Sequence, residues 1–143
     1  MNRYKELQKK HSEEIQKQPL MFAFSNEQFY KGLKELGLEK GQENLLCSIG
    51  FGGYMKKSDY PAFAKLSKSH REEEKKAMED DDFLYEAFRY ELANHEYGYT
   101  YETEDAIEAL GLTVKEVYEN ERLKRILIKA CDDIKKWEMK NDN

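Results

Sequence analysis

Cysteine is scarce in this sequence, with only Cys47 and Cys131 among 143 residues. The two are far apart and neither has CxxC spacing, so neither a disulfide framework nor a structural zinc site is indicated. Such sparing use of cysteine is typical of a reducing compartment, and we expect a cytoplasmic location. Cys47 lies in an apolar segment without an adjacent base, which predicts a buried structural thiol rather than a nucleophile.

Long apolar runs are also lacking. No segment approaches the roughly 18 apolar residues that a membrane-spanning helix needs. The opening residues, MNRYKELQKKHSEE, contain no apolar stretch of the kind found in signal peptides. We therefore expect neither membrane insertion nor secretion. Because long linkers, low-complexity segments and internal repeats are absent too, residues 1–143 are predicted to form a single domain with a core of its own.

Helical periodicity dominates what the chain does contain. Apolar residues recur every three or four positions, which is the pattern of helices with one buried face. A first helix is predicted to end before Pro19, and a helix near residues 82–94 is predicted to be central. The last helical region is expected to use Trp137 on its apolar face. Three capping sequences mark helix starts: Ser25 with Gln28, Thr103 before a short helix that ends at Gly111, and Thr113 with Glu116.

Strand signals are fewer. Two short strands are predicted between Leu45 and Lys57, around the glycines of the GFGG segment. The alternation of Tyr97, Tyr99 and Tyr101 suggests an extended segment or a third strand. A lone hairpin is marginally stable and must lie on helices. The sequence therefore predicts an α+β fold, a mainly helical single domain of about five helices with a small antiparallel β-hairpin.

One spacing is compatible with a metal site. Glu91 and His95 are four residues apart and would share a helix face, and Glu96 follows directly. Together they could serve a metal-dependent hydrolase or nuclease. The second histidine of HExxH is missing, so we favour the interpretation in which His95 donates a hydrogen bond at a helix end. No catalytic residue, metal or cofactor is therefore predicted, and the protein is not expected to be an enzyme.

The GFGG segment has two interpretations as well. Its backbone N–H groups could face a phosphate, with Lys56 and Lys57 supplying positive charge. The segment matches neither GxxxxGK[ST] nor GxGxxG. Glycines between two short apolar runs are more often turn residues that adopt positive φ, and we favour the turn.

Charge is unevenly distributed along the chain. Residues 1–70 carry 12 basic and 8 acidic side chains, whereas residues 71–143 carry 12 and 21. The excess is densest in residues 79–105, where ten acidic side chains accompany one basic residue, Arg89. Direct nucleic-acid binding is disfavoured because this side would repel phosphates. A basic patch nearer the start keeps that alternative open: Lys9, Lys10, Lys17 and Lys31.

The acidic segment is also rich in tyrosine. Tyrosine beside carboxylates suits the gripping of an arginine-rich protein groove, and such a surface would imitate nucleic acid. In the contrasting interpretation, the aspartates simply cap a helix and the tyrosines complete the core. Neither interpretation is excluded by the sequence. The predicted partner-binding residues are Glu79, Asp80, Asp81, Asp82, Tyr85, Glu86, Tyr97 and Tyr99.

Three segments carry a resemblance: PLMFAFSNEQFYKGLKELGL, SIGFGGYMKKSD and FRYELANHEYGYTYETEDAIEALGLT. They resemble a family of small proteins encoded by phages and mobile elements of gut bacteria, and their arrangement is similar to that of an anti-CRISPR protein acting on type II-A Cas9. The resemblance implies an anti-defence protein of the bacterial cytoplasm that inhibits a nucleic-acid-processing effector such as Cas9, which handles nucleic acid in positively charged channels. The alternatives are the metal-dependent hydrolase and a self-associating regulatory protein that forms a homodimer.

Overall fold

The computed structural model describes residues 2–141. Within that range the chain forms eight α-helices and one three-stranded antiparallel sheet. The mainly helical α+β fold with a small antiparallel hairpin is therefore confirmed. In chain order the elements are α1 (Arg3–Gln16), β1 (Met21–Phe22), α2 (Asn26–Glu35), β2 (Leu46–Gly50), β3 (Gly53–Lys56), α3 (Tyr60–Ala77), α4 (Asp81–Asn94), α5 (Tyr97–Thr100), α6 (Glu104–Ala109), α7 (Val114–Glu119) and α8 (Glu121–Asn141).

Helix ends follow the capping sequences at two of the three predicted positions. The Ser25 side chain accepts a hydrogen bond from the backbone N–H of Gln28 at 3.2 Å and caps α2. Thr113 and Glu116 form a full capping box at the start of α7, with bonds of 3.1 and 2.7 Å. The prediction for Thr103 is wrong in its mechanism. Thr103 precedes α6, but its backbone is in the right-handed helical region and its side chain makes no capping hydrogen bond.

These two threonines provide a matched test of capping. Replacing Thr113 by alanine is expected to lower the free energy of unfolding by about 1 kcal/mol, because the substitution removes the acceptor for an otherwise unpaired backbone N–H. Thr103→Ala makes the same chemical change where no capping bond exists, and we expect a loss below about 0.5 kcal/mol. Urea unfolding followed by circular dichroism measures both. Equal losses at the two sites would contradict the assignment.

The predicted hairpin is present, and its turn is built from three consecutive residues with positive φ. Gly50, Phe51 and Gly52 have φ of 89°, 53° and 78°. The turn interpretation of the GFGG segment is thus confirmed, and the Phe51 side chain at its tip is 97% exposed. A turn of this kind requires glycine on both sides, because most L-residues avoid this region of φ.

The third strand is not where the tyrosine alternation placed it. Residues 97–100 form the single turn of α5, because Glu96 and Tyr101 adopt φ of +57° and +55° and close the backbone on itself. The third strand is β1, which pairs with β3 through Met21 opposite Tyr54. The sequence signal was the alternating burial that an LMFAF run can adopt, with Met21 inward and Phe22 outward.

The chain divides into two compact units. The split unit comprises Met1–Lys9 and Glu74–Asn143, and the continuous unit comprises Lys10–Glu73. In the sequence the split unit carries 14 Lys and Arg against 20 Asp and Glu, and the continuous unit 10 against 9. The net charge of −5 is therefore made of −6 in the split unit and +1 in the continuous unit.

The core of the split unit surrounds α4, which contacts α5, α6 and α8. Leu84, Phe88 and Leu92 are completely buried and project from α4 at four-residue spacing. Leu127 of α8 packs in the same cluster. Tyr4, in the first turn of α1, also belongs to this core. The prediction that the helix near residues 82–94 is central is confirmed.

The continuous unit has a smaller core between the sheet and α2. Met21 and Leu46 from the strands pack with Leu33 from α2. Gly32 allows this contact, because a Cβ atom at that position would lie 2.5 Å from the Met21 sulfur. The sheet therefore rests directly on the backbone of α2.

A stacked histidine pair joins α1 to α3 within the continuous unit. The rings of His11 and His70 are 3.9 Å apart between centroids and nearly parallel, and both residues are buried. Each ring approaches a carboxylate: His11 Nε2 lies 3.4 Å from Glu73, and His70 Nε2 lies 3.4 Å from Glu14. α1 and α3 thus contact each other through a pair of buried imidazole rings.

Candidate binding surface

The N-terminus of α4 carries the predicted aspartates, and two of them have structural partners. Asp80 accepts hydrogen bonds from the backbone N–H groups of the first helical turn, at 2.8 and 3.1 Å. These bonds, led by the one from Phe83, lower the pKa of the Asp80 carboxyl below its usual value, and Arg3 adds to the effect from 3.5 Å. Asp81 pairs with Arg122 at 2.5 Å and with Arg125 at 3.5 Å. The arginine contact lowers the pKa of Asp81.

Two further predicted residues are also engaged within the split unit. Glu86 accepts a hydrogen bond from Arg3 Nε at 2.9 Å. The Tyr85 hydroxyl donates to Asp133 and accepts from Arg89 at 3.0 Å. Because it receives that hydrogen bond, the Asp133 carboxyl has a pKa below its usual value. The capping interpretation of the aspartates is therefore correct for Asp80, and the surrounding charge is partly neutralised.

The tyrosines divide between core and solvent. Tyr97 is only 3% exposed, and burial raises the pKa of its hydroxyl. Tyr97 comes directly after the left-handed turn at Glu96, and its side chain packs in the core. The prediction that Tyr97 contacts a partner is therefore wrong. Lys135 lies over the rings of Tyr97 and Tyr101, at 5.8 and 5.3 Å from their centroids. Tyr99 is 90% exposed and remains available to a partner.

Six carboxylates of residues 79–105, at the start of α4 and beyond its end, nevertheless remain without an ion pair in the described range 2–141. Of the ten acidic residues in positions 79–105, four take part in ion pairs, Asp80, Asp81, Glu86 and Glu91. The other six are exposed and form no ion pair with any residue in the described range 2–141. These six, which we call the free carboxylates, are Glu79, Asp82, Glu96, Glu102, Glu104 and Asp105.

Two of the three proposed metal residues lie together, with His95 Nδ1 3.5 Å from a carboxyl oxygen of Glu91, but the three do not form a metal-binding group. The carboxyl group of Glu91 is buried and accepts a hydrogen bond from the Tyr4 hydroxyl at 2.8 Å. His95 Nδ1 lies 2.9 Å from the backbone carbonyl of Glu91, the helix-end contact that we favoured from the sequence. Glu96 is exposed on a left-handed turn. In the part of the chain that the structure describes, no group of three His, Cys, Asp or Glu side chains is placed to hold a metal ion.

Cys47 differs slightly from its prediction. It is half-buried, and its thiol lies 3.6 Å from the Met55 carbonyl in the neighbouring strand. Cys131 is the buried cysteine, and burial raises the pKa of its thiol.

An open groove of about 480 Å³ lies between α4, α5 and α8 in the split unit. Its sequence signal was missed, because Trp137 was expected to be buried but is 58% exposed at the groove wall. Tyr99 and Glu96 form part of the same wall. The groove thus brings one predicted contact residue and one free carboxylate together with an exposed indole.

A comparison with protein families matches residues 3–133 of this chain. The chain belongs to the family of unknown function DUF7659. Neither a curated protein nor a solved structure matches it. No helix within residues 2–141 combines the length and the apolar character that crossing a membrane requires.

The DUF7659 match covers the core of the continuous unit and all but Ile134 of the buried core of the split unit, but not the whole groove. It includes Tyr4 and the complete α4, α5 and α6. Trp137 and Glu138, on the α8 side of the groove, lie beyond its last matched residue. The family match therefore includes the acidic segment and ends before these α8 residues of the groove.

Proposed function

We propose that this DUF7659 protein binds a protein partner that has a basic nucleic-acid-binding groove and inhibits it, without catalysing a reaction. The single observation that carries the proposal is the set of free carboxylates, which remains after the ion pairs of the split unit have been assigned. The proposal requires no cofactor, catalytic residue or direct contact with nucleic acid.

The physical basis is competition for the same positive charges. A groove that binds phosphates does so with Lys and Arg side chains, and these attract exposed carboxylates equally well. The sequence resemblance names type II-A Cas9 as the partner, and Cas9 holds its nucleic acids in channels of this kind. The more specific proposal is that this protein inhibits a host defence effector in the bacterial cytoplasm. It depends on that resemblance.

Charge reversal tests this surface. In Glu79→Lys/Asp82→Lys, two exposed carboxylates without ion pairs become positive, and we expect affinity for purified Cas9 to fall by about tenfold or more. Glu13→Lys/Glu72→Lys is the matched control, since it makes the same change of charge at two exposed residues of the continuous unit. Titration calorimetry at low and raised salt gives the affinities. Equal losses for the two variants, or affinity independent of salt, would remove the acidic surface from the proposal.

Asp80 and Asp81 are poor positions for this test. Reversing Asp80 removes the cap of α4, and reversing Asp81 breaks its contacts with two arginines. Loss of a cap costs about 1 kcal/mol. A change in binding at these residues would therefore be mixed with a change in the stability of the split unit.

Self-association is a second candidate, and an exposed apolar face of the continuous unit favours it. Phe22, Phe24 and Phe51 are 58%, 77% and 97% exposed. The rings of Phe22 and Phe24 lie over Gly53 and Gly52, where a Cβ atom would come within 3.1 and 2.4 Å of them. Contiguous exposed apolar surface is a common feature of association sites. Light scattering over a range of concentrations tests this; a monomer throughout would contradict it.

A further inference from the structure

The groove between α4, α5 and α8 has aromatic walls. Tyr90, Tyr99 and Trp137 all line it, and all belong to the split unit. The Tyr90 ring is fixed by its contact with the Tyr4 ring, 5.5 Å away between centroids. Tyr99 and Trp137 are 90% and 58% exposed. One ring is therefore anchored to the core, while two present their surfaces to an incoming group.

Two carboxylates share the groove with these rings. Glu96 and Glu138 line it, and neither forms an ion pair with another residue of the described range 2–141. The Glu138 carboxylate lies against the backbone at Gly98, where a Cβ atom would be 2.7 Å from its Oε1 atom. The absence of a side chain at Gly98 thus lets this carboxylate lie close to the backbone of α5.

The backbone around α5 is unusual in a way that supports a binding role. Among residues 2–141, three residues other than glycine have positive φ, and two of them, Glu96 and Tyr101, bracket this single helical turn. Such conformations are energetically unfavourable and persist where the surroundings impose them, often at ligand sites. Here they direct Tyr97 into the core and leave Tyr99 at the groove.

Arg89 is the one cationic side chain among the described residues that line the groove, and it would repel a positively charged ligand if it were unpaired. Its guanidinium donates to the Tyr85 hydroxyl at 3.0 Å and lies 5.9 Å from the Tyr85 ring centroid. This contact engages Arg89 with its neighbour on α4. With Glu96 and Glu138 opposed by Arg89, the lining keeps a net charge of −1.

We propose that this groove is a binding site for a single arginine side chain of a basic partner protein, held over Tyr99 and Trp137 and neutralised by Glu96 and Glu138. Cations are attracted to aromatic faces, most strongly to that of tryptophan. A planar guanidinium can stack on a ring and still donate hydrogen bonds from its edge to carboxylates, which an ammonium group does less well. The inference rests on the proposed function, because it specifies what the basic partner inserts.

The test uses the fact that Trp137 is the sole tryptophan of the sequence. Its fluorescence is titrated with a capped lysine peptide that carries one central arginine, and with matched peptides that carry lysine or citrulline there. We expect the arginine peptide to bind about fivefold more tightly than the lysine peptide of equal charge, and the citrulline peptide to bind most weakly. Equal affinity for the arginine and lysine peptides would overturn the proposal.

Variants locate the binding. Tyr99→Ala and Glu138→Gln are expected to remove the preference for arginine. Tyr118→Ala should keep it, since Tyr118 is 45% exposed on α7 and does not line the groove. Preference retained in both groove variants would also overturn the proposal. The indole N–H resonance of Trp137 provides a second readout that does not depend on fluorescence intensity.

The result separates this inference from the proposed function. If the peptides show no arginine preference but Glu79→Lys/Asp82→Lys still weakens binding of Cas9, the acidic surface stands and the arginine site is wrong. If Cas9 does not bind but the arginine preference is present and lost in Tyr99→Ala, the arginine site stands and the partner is wrong.

Discussion

Phe88→Ala is expected to lower the free energy of unfolding by about 3–5 kcal/mol, the usual range for removing a buried phenylalanine. Phe88 is completely buried in the middle of α4, where it packs in the core with Leu84 and Leu92. The substitution would leave a cavity in the core of the split unit. Since domains are typically stable by only about 5–15 kcal/mol, this loss is a large part of the total. Urea unfolding followed by circular dichroism gives the value.

Phe51→Ala is the matched control for this experiment. It makes the same chemical change at a residue that is 97% exposed. Phenylalanine and alanine are both L-residues, so the positive φ at position 51 is equally unfavourable before and after the substitution. We expect a change within about 0.5 kcal/mol. A loss at Phe51 as large as that at Phe88 would contradict the assignment of these two rings to surface and core.

Tyr4→Phe is expected to lower the free energy of unfolding by about 2–3 kcal/mol, although it removes one oxygen atom. The Tyr4 hydroxyl donates to the Glu91 carboxyl at 2.8 Å, and both residues are buried. The variant leaves the Glu91 carboxyl buried with one contact fewer, and an unsatisfied buried polar group is costly. Tyr118→Phe, at a residue that is 45% exposed, is the control and should change stability by less than about 0.5 kcal/mol.

The same hydroxyl gives a pH dependence with a defined sign. Burial, followed by the hydrogen bond to Glu91, raises the pKa of Tyr4 above its ordinary value of 10.0. Above about pH 10 the unfolded chain releases this proton while the folded chain keeps it, so stability falls as pH rises, by up to about 1.4 kcal/mol per pH unit for each such group. Between about pH 9 and about pH 11.5, the free energy of unfolding should fall less steeply with pH in Tyr4→Phe than in the parent protein. Parallel profiles would contradict the assignment.

Local sequence signals predicted the parts of the fold that depend on local chemistry. The capping box at Thr113 and Glu116, the glycine turn of the hairpin and the apolar periodicity of α4 each have a cause within a few residues. The alternation of Tyr97, Tyr99 and Tyr101 gave a wrong strand because period-two spacing says nothing about φ. Positive φ at Glu96 and Tyr101 closes the chain into a turn instead.

The candidate site was harder to predict because its charges are set by residues distant in sequence. Arg3, Arg122 and Arg125 neutralise three of the predicted carboxylates, and none lies within the acidic segment. A count of charges along the chain cannot include such partners. The groove was missed for a related reason: Trp137 fits the apolar face of α8 by spacing, but α5 and α4 leave its ring exposed.

The order in which the ribosome releases the chain bears on how the split unit assembles. Tyr4 emerges 87 residues before its partner Glu91, a delay of roughly 4–17 s at usual rates of synthesis. All residues of the continuous unit are released within that interval, before the Glu91 carboxyl that binds the Tyr4 hydroxyl has been synthesised. An apolar face of α1 is then accessible to chaperones until α4 has been synthesised. Slower translation between the two units would prolong that exposure.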